Sequence, residues 1–139
     1  MSDIIMLEMC YVLDDIYKIK NAFHRARLIR SSFQCAILRN TDFSHAELYE
    51  VDFSFADLSG SDFRGAKLRR ANLTGANLSN VMTDSHTEWV DATLTDTVLY
   101  GNSLDGKGIT DKQIAQLKSS GFADSYAKNC PWAVDEENK

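Results

Sequence analysis

The sequence predicts an all-β solenoid, in which short extended segments wind around one apolar core. A five-residue repeat runs without a gap from Asn21 to Asn80, with Phe or Leu at the third position and a small residue at the first in nearly every copy. Five helical steps rotate each central residue by about 140°, so no apolar stripe forms on a helix. In a straight strand, the odd spacing would send alternate inward pairs to opposite faces. The chain must therefore turn at regular corners while one side stays buried.

These repeats resemble those of pentapeptide-repeat proteins. The resemblance rests on the Ala-Asp-Leu and Ala-Asn-Leu triplets at 56–58, 71–73 and 76–78, and on Asp62-Phe63. It covers about residues 21–106 and implies a right-handed quadrilateral β-helix. With about twenty residues in each coil, the implied tower has about four coils stacked at about 4.8 Å. Such chains are widespread in cyanobacteria, so the resemblance also implies a cyanobacterial type of source.

A coil of that length places like side chains above one another, which favours close packing. Phe and Leu then segregate by side. The four predicted core columns are Phe23, Phe43 and Phe63; Leu28, Leu48 and Leu68; Phe33, Phe53 and Leu73; and Leu38, Leu58 and Leu78. On the outside, Arg27, Glu47 and Lys67 would stack with alternating sign, which is mildly stabilising across neighbouring strands.

The repeat is interrupted near residues 82–86. His86 is one residue too many there, and an extra residue in β structure is normally a bulge. When that residue is counted, Glu88 lies above Lys67 and the repeat resumes around Trp89. The predicted β-helix therefore extends over residues 21–106 with a bulge near 82–86.

Both ends of a solenoid need caps, because they expose unpaired strand edges. Residues 1–20 carry apolar side chains at helical spacing and are predicted to form an N-terminal helical cap. Residues 107–139 are predicted to form a C-terminal helical cap and an acidic tail. There Thr110 and Gln113 match a capping box, and Gly121 is the predicted helix stop. Trp132 either packs back onto the tower, which we favour, or contacts a partner.

Composition indicates a single domain of 139 residues with a net charge of −5. Its three cysteines, Cys10, Cys35 and Cys130, are odd in number and widely separated. They predict reduced thiols and a cytoplasmic location. Acidic residues interrupt the N-terminal apolar stretch, which is far shorter than the roughly 20 residues of a membrane span. The start also lacks the features of a signal peptide.

The sequence predicts no enzyme, no metal site and no cofactor. His24, His45 and His86 do not share one stacked column, and no cysteine lies at metal-ligand spacing from them. The Asp residues that precede the central Phe or Leu belong to the repeat pattern. Cys35 is predicted to project outward without a neighbouring base, which argues against a nucleophile. A convex tower also lacks the concave site that catalysis generally needs.

The predicted function is a non-enzymatic scaffold that binds another protein. The candidate surface consists of residues that break the polar outward pattern or add positive charge near the first coil: Arg27, Ile29, Arg30, Tyr49 and Phe55. Aromatic and arginine side chains commonly dominate interfaces. The alternative for Ile29 and Phe55 is that the N-terminal segment or a lattice contact covers them.

The resemblance also implies a second function, because some members of the family mimic DNA and modulate DNA gyrase or topoisomerase. Those members are long acidic rods, usually dimerised through the C-terminal cap, so a homodimer through a terminal cap remains open here. Residues 21–80 instead hold eight Lys or Arg against six Asp or Glu. Four coils would also reach only about 20 Å, which argues against mimicry of phosphate spacing.

Direct nucleic-acid binding ranks last among the binding functions. The basic cluster that suggests it comprises Arg64, Lys67, Arg69 and Arg70. In the predicted register, acidic residues lie both below and above this cluster and largely neutralise it. The net acidity of the chain weakens the case further.

Overall fold

The computed structural model describes residues 23–131. The predicted N-terminal cap at 1–20 and Trp132 lie outside the described residues. Most of the described chain winds into a stack of short turns. Two helices follow, α1 at Asp111–Ile114 and α2 at Phe122–Asn129.

Isolated parallel β-bridges join each level of the stack to the next. Within residues 23–131, only such single bridges occur and no continuous strand is defined. The first level makes its bridges at residues 27, 32, 37 and 42, and the bridged partner of each lies twenty residues further on. Because successive bridges are five residues apart, one level has four sides, each built from one repeat.

A local hydrogen bond explains why Asp or Asn precedes the central residue of so many repeats. Asp52 Oδ1 accepts from the backbone N–H of Ser54 at 2.9 Å, and Asn72 Oδ1 accepts from that of Thr74 at 3.1 Å. A side-chain oxygen that accepts from the N–H two residues on stabilises the start of a turn. These carboxylates and amides therefore shape the corners of the tower.

The second residue of each corner turn adopts a left-handed backbone conformation. Examples without glycine run from Arg25, with φ 59°, to Asp96, with φ 56°, and Gly60 has φ 73°. Left-handed backbone costs a residue with a Cβ roughly 1–2 kcal/mol. Backbone hydrogen bonds between levels accompany this conformation. For example, Arg30 N–H donates to Tyr49 O at 2.9 Å.

The core fills the inside of the tower. All residues of the four predicted core columns lie in it, with Phe23 half-buried and the rest almost fully buried. The Phe43 and Phe63 rings stack with centroids 5.2 Å apart and planes 7° from parallel, and Phe33 and Phe53 stack at 5.3 Å. Small residues such as Ala46 and Ala56, 0% exposed, occupy the inward positions two residues before the central ones. Large and small side chains thus alternate inward around each level.

The extra residue of the sequence lies between Met82 and Glu88. Asp62 bridges to Met82 twenty residues on, whereas Lys67 bridges to Glu88 twenty-one residues on. Asp84 closes this insertion, since its Oδ1 accepts from the backbone N–H of Gly65 at 3.0 Å and of His86 at 2.9 Å. The insertion is therefore tied to the level below it.

The segment around α1 is hydrogen-bonded to the level that contains Trp89. Thr110 and Gln113 form a capping box at the start of α1. The Gln113 side-chain amide also donates to the carbonyls of Trp89 at 3.0 Å and of Ala92 at 2.9 Å. The prediction of Gly121 as a helix stop is wrong, because α1 ends at Ile114 and Gly121, with φ 96°, is the N-cap residue of α2.

Neither helix within the described range 23–131 has the length and apolar character that crossing a membrane requires.

Candidate interaction surface

One corner of the tower carries a vertical row of large side chains, which we call the corner stripe: Ile29, Tyr49, Arg69 and Val90. Backbone hydrogen bonds set their register. Arg30 N–H donates to Tyr49 O, Glu50 N–H to Arg69 O and Arg70 N–H to Val90 O, at 2.9, 3.0 and 2.9 Å. Each stripe residue is the first residue of its corner turn, and Ile29, Tyr49 and Val90 are half-buried. Three of these four stripe residues therefore present apolar surface at this corner.

The corresponding positions at the next corner are polar throughout. Its row consists of Gln34, Ser54, Thr74 and Thr95. A third corner carries Arg39, Ser59 and Ser79 before the exposed Tyr100. Among the described residues, the corner stripe is thus the most apolar of these rows.

Charges of alternating sign border the corner stripe. Bridges connect Arg27 to Glu47, Glu47 to Lys67 and Lys67 to Glu88 on one side. Arg27 Nε lies 3.3 Å from Glu47 Oε2, with 61% of the Arg27 side chain exposed. An ion pair that exposed contributes only about 0–1 kcal/mol to stability. An exposed pair of this kind therefore adds little to the stability of the tower.

A second polar border follows the corner stripe at the next residue of each turn. Its members are Arg30, Glu50, Arg70 and Asp91, all exposed. Their signs also alternate from level to level. Together with the first border, they place the apolar stripe between two rows of mixed charge.

The structure brings four of the five candidate surface residues to one region and separates the fifth. Arg27, Ile29, Arg30 and Tyr49 lie in or beside the corner stripe, whereas Phe55 lies at the next corner. Phe55 packs there in a cluster that includes residues of α2. The cluster also contains Cys35, Ile37, Phe122, Tyr126 and Cys130.

Sequence reasoning did not include Arg69 and Val90 in the candidate surface. The repeat itself places Arg69 above Tyr49. Counting His86 as the extra residue then places Val90 above Arg69, so the signal for both was present in the sequence.

Cys35 and Cys130 form a disulfide with Cα atoms 6.0 Å apart. The prediction that these thiols are reduced is wrong, as is the prediction that Cys35 projects into solvent, since it is 0% exposed. The two cysteines are 95 residues apart in sequence. Only the return of α2 along the outside of the tower brings them together, and the repeat pattern contains no signal for that contact.

The most catalysis-like arrangement is formed by His24, Asp42 and Ser44. Ser44 Oγ lies 2.7 Å from His24 Nδ1 and donates to Asp42 Oδ1 at 2.5 Å. The Ser44 hydroxyl therefore lies within hydrogen-bonding distance of both His24 and Asp42. Within residues 23–131, no group of three or more His, Cys, Asp or Glu side chains could hold a metal ion.

Aspartate ionisation follows the turn geometry. Burial raises the pKa of Asp84, but backbone hydrogen bonds from His86 and Gly65 and the Thr87 hydroxyl lower it more, so that the net pKa lies below the ordinary 3.8. At Asp62, burial again raises the pKa and the Arg64 guanidinium more than reverses that effect. Both groups are therefore poised to act as anionic turn anchors rather than as acids near neutral pH.

Several solved structures are similar to this chain. A pentapeptide repeat protein from the cyanobacterium Cyanothece 51142 is 27% identical over 58% of this chain and 57% of its own length, with a TM-score of 0.30. One from Nostoc PCC 7120 is 24% identical over 82% of this chain and 98% of its own, with a TM-score of 0.34. One from the Arabidopsis thaliana thylakoid lumen is 26% identical over 77% and 84%, with a TM-score of 0.31. This chain thus spans just over half the length of the Cyanothece protein.

No curated protein matches this chain. A family model for pentapeptide repeats does match, with 8 copies, at residues 23–54 and 46–81. Proteins of this kind form quadrilateral β-helices, and the parallel bridges every five residues fall in the same region. Residues 23–81 are therefore similar to pentapeptide repeats.

Proposed function

We propose that this protein is a non-enzymatic scaffold that binds another protein through the corner stripe. One observation supports this proposal most directly. Ile29, Tyr49 and Val90 align with Arg69 on an exterior that is otherwise largely polar. Interface cores are enriched in aromatic and arginine side chains, and the surrounding rim is polar. The corner stripe and its charged borders have this composition.

Rigidity supports the same proposal. Each corner turn is held by backbone bonds to the next level, such as Arg30 N–H to Tyr49 O. A surface that is ordered before binding loses less conformational entropy when a partner docks. We infer a tower of about four coils, closed at its upper end by the segment that begins at Thr110. The domain limits 1–20, 21–106 and 107–139 remain predictions.

A DNA-mimicking modulator of DNA gyrase or topoisomerase remains the alternative function. Mimicry of a duplex needs a continuous run of negative charge. Beside the corner stripe, the bridge positions of successive levels carry Arg27, Glu47, Lys67, Glu88 and Lys107. This alternation counts against the alternative, and no contact of the described residues favours it.

The cytoplasmic location likewise remains a prediction. This prediction depends mainly on reduced thiols, and the Cys35–Cys130 disulfide contradicts that premise. Disulfides persist mainly in oxidising compartments, so the location has to be measured on the protein in its source cells.

Affinity capture from a lysate of the source organism tests the proposed surface. The bait variant Tyr49→Ser with Val90→Ser removes two side chains of the corner stripe. Tyr100→Ser is the matched control, because it removes an exposed aromatic ring from another corner. We expect a partner that wild type and Tyr100→Ser both retain and that the stripe variant loses, with all three baits unfolding at similar temperatures.

Other outcomes of the capture decide between the proposals. A partner retained equally by all three baits excludes the corner stripe. Gyrase or topoisomerase subunits among the retained proteins support the DNA-mimic alternative. If light scattering shows a dimer that the stripe variant loses, the partner is a second copy of this chain.

A further inference from the structure

We propose that the partner of the corner stripe is a second copy of this chain, docked antiparallel so that the two stripes face each other. The inference rests on the proposed function, because it names the partner of the same surface. The two-fold axis of the pair passes between the second level, which carries Tyr49, and the third level, which carries Arg69. The order of charges along the two borders of the stripe carries this inference.

Both borders have the same sign of charge at each level. The second level has Glu47 and Glu50, and the third has Lys67 and Arg70. The sign therefore changes from level to level on both sides of the stripe at once. From the first level to the fourth, the border pairs are Arg27 and Arg30, Glu47 and Glu50, Lys67 and Arg70, and Glu88 and Asp91.

This order of charges is complementary to itself when one copy is turned upside down. Glu47 then lies opposite Lys67 of the second copy. Glu50 likewise lies opposite Arg70 of the second copy, and the first level of each copy faces the fourth level of the other. A parallel pair would place like charges opposite each other at every level, and an antiparallel pair shifted by one level would do the same. Because such contacts are repulsive, charge selects both the direction and the register of the pair.

The stripe side chains fit the same arrangement. Tyr49 lies opposite Arg69 of the second copy, and a guanidinium is attracted to the face of an aromatic ring. Ile29 lies opposite Val90 of the second copy, so these apolar side chains cover each other. In the single chain, the Arg69 side chain is exposed and the other three are half-buried. Each contact occurs twice, because a two-fold interface uses the same surface on both copies.

The shape of a corner limits the strength of this dimer. Four levels at about 4.8 Å give a contact strip of only about 20 Å in length. Such a strip buries less than the roughly 1,200–2,000 Å² of a stable protein interface. We therefore expect a weak dimer that forms at concentrations of about 100 µM and above. Its ion pairs contribute orientation more than affinity.

Sedimentation equilibrium of the full chain, from about 10 µM to about 1 mM, tests the pairing. Wild type should pass from monomer to dimer, and added salt should weaken the dimer. Two charge-reversal variants are measured beside it, Glu47→Lys with Glu50→Lys and Lys67→Glu with Arg70→Glu. Each variant alone should stay monomeric, because like charges then meet across the axis. An equal mixture of the two should dimerise, since each supplies the charge that the other now lacks.

The variant that combines all four reversals is the matched control. It keeps the net charge of −5, because the added positive and negative charges are equal in number. In the antiparallel register it again places opposite charges across the axis, so it should dimerise like wild type. Lys128→Glu reverses an exposed charge on α2, away from the stripe, and should also dimerise like wild type.

Three results would overturn the inference: a wild type that stays monomeric over the whole range, a dimer that persists in both charge-reversal variants, or a mixture that remains monomeric. Failure of the proposed function gives a different result, because the captured partner is then retained by the bait Tyr49→Ser with Val90→Ser. A monomeric wild type whose captured partner is lost by that bait overturns the dimer and leaves the proposed function in place.

Discussion

Asp84 Oδ1 accepts a hydrogen bond from the backbone N–H of Gly65 at 3.0 Å, and this contact joins the inserted turn to the level beneath it. The same oxygen accepts from the backbone N–H groups of His86 and Thr87 at 2.9 and 3.1 Å. One carboxylate thus satisfies three backbone donors at the place where the repeat is interrupted. This arrangement explains how the tower continues past one extra residue.

Replacement of Asp84 should destabilise the protein through the loss of these acceptors. We expect Asp84→Ala to lower the free energy of unfolding by about 1–3 kcal/mol, since donors at the insertion lose their partner. The neighbouring Ser85→Ala is the control, because Ser85 is exposed in the same turn. Urea unfolding measures both, and equal stabilities would show that the insertion does not need its anchor.

The dependence of stability on pH should reflect the lowered pKa of Asp84. A carboxyl whose pKa is lower in the folded state than the ordinary 3.8 stabilises the fold above 3.8. That contribution is lost as the pH falls from there through the folded pKa. Wild type should therefore lose more stability than Asp84→Asn between about pH 5 and pH 2. Parallel pH profiles would assign the loss to other groups, among them Asp62, whose pKa is also lowered.

Truncation of a stacked core ring should be among the most damaging single changes. Phe43 is 0% exposed, and its ring stacks on Phe23 and Phe63 with centroid separations of 5.2 Å on both sides. We expect Phe43→Ala to lower the free energy of unfolding by about 3–5 kcal/mol, through lost burial and the cavity left behind. A loss below about 1 kcal/mol in chemical denaturation would contradict the inward position of this ring.

A larger residue in place of Gly60 should destabilise the protein. Its φ of 73° disfavours any side chain, and a Cβ built there would collide with Asn40 Oδ1 on the level below. We expect Gly60→Ala to destabilise by more than about 1 kcal/mol. The double variant with Asn40→Ala removes the collision, so it should lose less stability than the sum of the losses in the two single variants. Additive effects in thermal unfolding would place the whole cost in the backbone.

Much of the architecture was readable from the five-residue period alone. The spacing excluded straight helices and strands, and the residues at 56–58, 71–73 and 76–78 pointed to the family that the repeat match supports. The interruption could also be located, because one residue too many changes the register of every residue after it. Each of these inferences depends on a local pattern that recurs in many repeats. An exception in one repeat therefore does not change the conclusion that the other repeats support.

Contacts between distant parts of the chain could not be read in this way. The helix α2, the Cys35–Cys130 bond and the cover over Phe55 all depend on one segment that follows the repeats. Gly121 illustrates the same difficulty, since its left-handed backbone precedes a helix instead of ending one. A single occurrence without a repeat offers no internal check.

The sequence by itself determined the five-residue period, the resemblance to pentapeptide repeats and the preference for Asp or Asn before the central residue, because each repeat folds through bonds within five residues and through contact with its equivalent on the next level. Only the tertiary structure decided which outward side chains are covered. Phe55 looks in sequence like an exposed break in a polar pattern, yet it packs with residues of α2, while Ile29, Tyr49 and Val90 lie in one row on another corner. The physical reason is that coverage depends on where a non-repeating segment travels in space, and that path is set by tertiary packing rather than by the period.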